Sequence, residues 1–109
     1  MRRFALVLTC LLACHAKSAA PACEAVAGQF FLLASAELDK ATMDPTTQRA
    51  VTDQLPAMRD ALKDACKDGA WSADVRTCMV SARDHAAMQA CEQNLTDDQR
   101  AALDKPPAH

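Results

Sequence analysis

Tyrosine and isoleucine are absent from this chain of 109 residues, and there are only two glycines, one tryptophan and three phenylalanines. Without isoleucine or tyrosine, the chain is poorly stocked for a half-buried sheet. The longest apolar run, Phe4–Ala13, is ten residues, too short to cross a bilayer. No two cysteines stand in a C-x-x-C pair, which argues against a thioredoxin-like redox site or a zinc ribbon. No cofactor motif appears, and no glycine-rich elbow presents a nucleophile. Acidic residues are spread singly rather than in runs, as on a solvated surface. What is abundant is alanine, which favours helix because it gives up little entropy there. The length allows one domain at most.

The first 22 residues read as a leader. Arg2 and Arg3 form a positive n-region ahead of Phe4–Ala13, the length of a signal-peptide core. Leu11-Leu12-Ala13-Cys14 resembles the lipobox of bacterial lipoproteins, with leucine in place of the usual small residue two before the cysteine. That resemblance implies a lipid on Cys14 and a membrane-anchored product. Cleavage at Ala20-Pro21-Ala22 is the other outcome and leaves Cys23 at the N-terminus of a periplasmic or secreted protein. Without Arg2, Arg3 and Lys17 the chain keeps 9 basic against 14 acidic residues, about −5. That sign suits neither nucleic acid nor anionic lipid. The expected partner is a protein, and membrane attachment is expected only through a lipid on Cys14.

Setting Cys10 and Cys14 aside leaves Cys23, Cys66, Cys78 and Cys91, an even set that reads as a disulfide framework in a short exported chain. From Cys23 to about Leu38, residues Val26, Ala27, Phe30, Leu33, Ala34 and Leu38 lie on one helical stripe, with Leu32 facing away. Asp44-Pro45 then starts a second helix as N-cap and first helical residue. Its stripe is Val51, Leu55, Met58, Leu62 and Cys66, all within about 80° of one another at ~100° per residue. The stripe keeps its phase across Pro56, so one helix with a kink near Thr52–Pro56 is expected. Gly69 suits the left-handed residue beyond that helix, Ser72 the next N-cap with Asp74 in its first turn, and Trp71 the plug of a small core.

A third helix over Ala73–Ala82 turns Val75, Cys78, Met79 and Ala82 inward. Asp84 caps a fourth, which carries Met88, Cys91 and Leu95. Thr96 and Gln99 form a capping box for a last turn, and Lys105–His109 is expected to be a disordered tail. The reading is an all-α, four-helix, disulfide-stapled domain over residues 23–104, after a cleaved signal peptide. Such a domain of roughly 90 residues has a thin core. Antiparallel packing of the first two helices, and of the next two, predicts Cys23–Cys66 with Cys78–Cys91. The alternative is Cys66–Cys78 with Cys23–Cys91.

Candidates for chemistry are few. Ser81, Asp84 and His85 group together only in sequence, at a helix junction, so an enzyme is not expected and neither is a cofactor. Met79, His85 and Met88 offer soft ligands to a cation such as Cu(I), with His85 and Met88 three apart on one helix. Core filling is the competing reading for the methionines.

Leu95-Thr96-Asp97-Asp98-Gln99 is similar to the L-T-x-x-Q motif of Spy-type periplasmic chaperones. That resemblance implies an ATP-independent protein that cradles unfolded clients. Cys66, Trp71-Ser72, Arg76, Cys78 and Cys91, with Cys23 upstream, resemble the pattern of uncharacterised small exported bacterial proteins. That resemblance implies a helical fold and export, and no activity. Two functions follow as expectations: a structural or protein-interaction module of the cell envelope, or a client-binding chaperone. A large exposed apolar concavity would favour the second, and a closed polar surface the first.

Overall fold

The structure, a computed structural model, describes residues 20–105. Cys14, the rest of the expected leader up to residue 19, and residues 106–109 of the expected tail lie outside the described residues. The described chain is all helical: α1 Cys23–Lys40, α2 Pro45–Asp68, α3 Ala73–Ser81, α4 His85–Cys91 and α5 Asp97–Leu103, with a 3-10 turn Glu92–Asn94 after α4. The expected C-terminal turn is thus a fifth short helix. Leu95 falls outside α4, because the chain tightens to 3-10 after Cys91 and Leu95 is reached in extended backbone. No helix among the described residues is long and apolar enough to cross a membrane.

Local chemistry sets the helix starts. Asp44 Oδ1 accepts from Thr47 N at 3.0 Å, and Pro45 takes the first helical position, where no N–H is needed. Ser72 Oγ accepts from Val75 N at 3.2 Å, and Asp84 Oδ1 from Ala87 N at 2.7 Å. Thr96 and Gln99 make both bonds of the capping box. Each satisfies a backbone donor that the first turn leaves free. Helix α2 runs unbroken through Pro56.

Helices α1 and α2 form a long antiparallel hairpin, α3 and α4 pack against α1, and α5 packs against α2. The core gathers at the end where α1 begins and α2 finishes, around Val26, Cys66, Trp71, Val75, Met79, Met88, Cys91 and Leu95. Both disulfides lie there. Cys23 joins Cys66 with Cα atoms 5.7 Å apart, and Cys78 joins Cys91 at 5.9 Å. Bridging needs facing cysteines within about 7 Å, which the antiparallel pairs supply. In the chain-entropy account, closing the loops of 43 and 13 residues contributes about 4 and about 3 kcal/mol.

Two expectations need correction. Met58, on the α2 stripe, is 40% exposed, because α3 and α4 cover only the far end of the hairpin and leave this part of the stripe at the edge of a groove. Gly69 is not left-handed: it has φ −82° and ψ −5°, and the positive φ of 48° falls on Ala70. Ala70 N donates to Lys67 O and Trp71 N to Cys66 O, so the Schellman motif closes one residue later than the glycine suggests.

Candidate functional site

Trp71 is the node of the fold. The residue is 3% exposed, and a Cβ on Gly69 would stand 3.1 Å from its Cδ1 and Nε1 and 2.9 Å from Ala65 O. Glycine is therefore required at 69 for close approach, not for dihedral freedom. The indole N–H is buried without a hydrogen-bond partner among the described residues. Arg76 Nε donates to Trp71 O at 3.2 Å, and its Nη1 to Pro21 O at 2.8 Å, so one guanidinium pins the turn to the segment ahead of α1. Ala22 O accepts from Ala25 N and Val26 N as the first α1 carbonyl. The folded unit accordingly reaches back to Pro21.

The Leu95–Gln99 stretch has structural work in each of its three motif residues. Leu95 is buried in the core, and Thr96 caps α5. Gln99 Oε1 accepts from Thr96 N at 2.8 Å while its Nε2 donates to Gly69 O at 2.8 Å. That second bond ties the start of α5 to the end of α2, thirty residues earlier in the chain.

The docking of α5 on α2 leaves a hollow on either side. One is a groove of about 360 Å³ lined by Phe30, Met58, Leu62, Met79, Met88 and Leu103, with His85, Gln89, Glu92, Asp104 and Lys105 around it. The other is a more open hollow of about 510 Å³ bordered by Asp64, Asp68, Thr96, Asp98 and Gln99. Ala61, Ala65, Ala102 and Lys105 line both, so the two adjoin. The groove's floor is apolar and methionine-rich, and its rim is titratable. Burial raises the Glu92 carboxyl above its usual range, the charge of Asp104 adds to this, and His85 opposes it. Away from the groove, a hydrogen bond and ion pair with Lys67 lower Glu24 and raise Lys67.

The structure brings Met79, His85 and Met88 to this one groove and adds Met58. Met79 and Met88 are nevertheless core residues, 1% and 5% exposed. Among the described residues no cluster of three His, Cys, Asp or Glu could hold a metal ion. Ser81, Asp84 and His85 form no site: Asp84 is occupied capping α4, where it accepts Ala87 N, and Ser81 is exposed at the end of α3. The rim acids Glu92, Asp104, Asp64, Asp68 and Asp98 were not singled out from the sequence, although Asp60, Asp64 and Asp68 recur at four-residue spacing along α2. No known protein family, curated protein or solved structure matches the chain.

Proposed function

We propose that the protein is an exported interaction module of the cell envelope, anchored through a lipid on Cys14, that binds a protein partner in the groove between α2, α4 and α5. The observation that carries this is the lining: Met58 with Phe30, Leu62 and Leu103 borders one hollow whose floor is the buried Met79 and Met88, on a two-disulfide domain. Methionine side chains are flexible and polarisable, and they adapt to apolar side chains of differing shape. A space of about 360 Å³ fits one or two anchoring side chains rather than an extended unfolded chain. Selective binding is therefore favoured over general client holding. Export is supported by Arg2, Arg3 and Phe4–Ala13 and by the closed disulfides, which persist in oxidising compartments.

A photo-crosslinking residue at Met58 in the native host tests the reading. Discrete adducts from position 58, absent from the exposed position Ala36, are expected, together with no suppression of aggregation of a heated client at equimolar ratio. Equal labelling from both positions, or efficient suppression, overturns it. Intact mass of the native protein tests the anchor: a diacylglycerol adduct on Cys14 is expected, and a free N-terminus at Lys17, Pro21 or Cys23 rejects it.

A further inference from the structure

The charges around α2 are sorted by face. Lys67 pairs with Glu24 of α1, and Arg59 lies over the Phe31 ring of α1 at 5.3 Å, so both of these α2 cations are engaged by α1. The face toward α5 carries Asp64 and Asp68, which border the open hollow with Asp98. Across α5, Glu92 and Asp104 stand on the groove. None of these five carboxylates has an ion-pair partner among the described residues, where the salt bridges are Arg59–Asp60, Lys67–Glu24 and Arg100–Asp97. Among the described residues, Lys105 is the only lysine or arginine lining either hollow.

An apolar seat beside unpaired carboxylates specifies its occupant by complementarity. We infer that the partner segment is cationic and amphipathic: an apolar side chain enters the groove against Met58, Leu62 and Leu103, above the buried Met79 and Met88, and flanking lysines or arginines lie against Glu92, Asp104, Asp64, Asp68 and Asp98. This rests on the groove being the working surface. The acids sit on both sides of α5, so a segment crossing that short helix meets negative charge on either side of its anchor. An acidic segment is repelled at both places, and a purely polar cationic one gains nothing from the apolar floor.

Three short synthetic peptides separate these terms: one with leucine anchors and lysine flanks, one with the lysines replaced by glutamates, and one with the leucines replaced by serines. Binding is read by the methionine methyl resonances of the oxidised protein. The leucine–lysine peptide is expected to shift Met58, Met79 and Met88, and to bind several-fold more weakly when salt rises from about 0.05 to about 0.5 M. The other two are expected to leave those resonances unmoved. Asp64→Asn with Asp68→Asn, at two exposed positions, is expected to leave the far-UV circular dichroism unchanged and to weaken binding by about two- to tenfold. Equal binding of the lysine and glutamate peptides leaves the groove standing and overturns the charge inference. Binding of the serine–lysine peptide as tightly as the leucine–lysine one overturns the anchored mode. If no peptide moves the methionine methyls, the groove reading fails and the inference with it.

Discussion

Moving the glycine at the α2–α3 turn by one residue tests how the turn is built. Ala70 holds φ 48°, a conformation that costs an L-residue about 1–2 kcal/mol. Ala70→Gly removes that strain but frees the unfolded chain, which costs about 0.4–1 kcal/mol. The net is a stabilisation of about 0.5–1 kcal/mol, worth about 2–8 °C in Tm for a domain of this size. Gly69→Ala acts in the opposite direction. Its Cβ meets Ala65 O at 2.9 Å, and that carbonyl cannot recede without losing the Gly69 N–H it accepts at 2.9 Å. The Trp71 edge at 3.1 Å blocks the other side. Overpacking costs about 1–3 kcal/mol, of which the stiffer unfolded chain returns about 0.4–1. Thermal unfolding followed by far-UV circular dichroism, with both disulfides oxidised, reads both variants. A near-UV spectrum reports whether Trp71 keeps its packing. A lower Tm for Ala70→Gly together with an unchanged or higher Tm for Gly69→Ala would refute the reasoning, because it would mean that residue 70 carries no left-handed strain and that residue 69 has room for a Cβ.

Three further outcomes are expected. Replacing Cys23 and Cys66 together by alanine is expected to cost about 4 kcal/mol and replacing Cys78 and Cys91 about 3, read by denaturant unfolding; the reverse order would contradict the loop-length argument. A chain beginning at Cys23 loses the Pro21 carbonyl that Arg76 holds and the Ala22 carbonyl that opens α1, and is expected to lose about 1–3 kcal/mol against a chain beginning at Ala20, checked by the same unfolding curves. Burial and Asp104 raise Glu92 in the folded state, so the folded state holds that proton more tightly than the unfolded one. Its contribution is present below the ordinary glutamate range and is lost as pH rises through the raised value. The Tm advantage of Glu92→Gln over the native protein is therefore expected to be larger at neutral pH than at mildly acidic pH, and a Tm gap that does not grow with pH removes the assignment.

Helix starts and the seams between helices were readable from sequence because they depend on residues a few positions apart. Asp44-Pro45, Ser72, Asp84 and Thr96 with Gln99 satisfy their own first turns, so each cap announces itself locally. The stripes of α1 and α2 follow from the helical repeat, and with a four-residue connector they force the antiparallel arrangement that places Cys23 against Cys66. Leu32, off the stripe, is 65% exposed for the same reason. Met79, His85 and Met88 were also visible as neighbours, being close along the chain. Contacts between distant residues decided the rest. The indole of Trp71 needs room above residue 69, so glycine serves that approach and the left-handed turn falls to Ala70. Gln99 reaches Gly69 across thirty residues and seats α5 on α2, which opens the groove, leaves Met58 at its mouth and sets five carboxylates around two hollows. A stripe records which side of a helix is apolar; how much of that side is covered depends on where the other helices end.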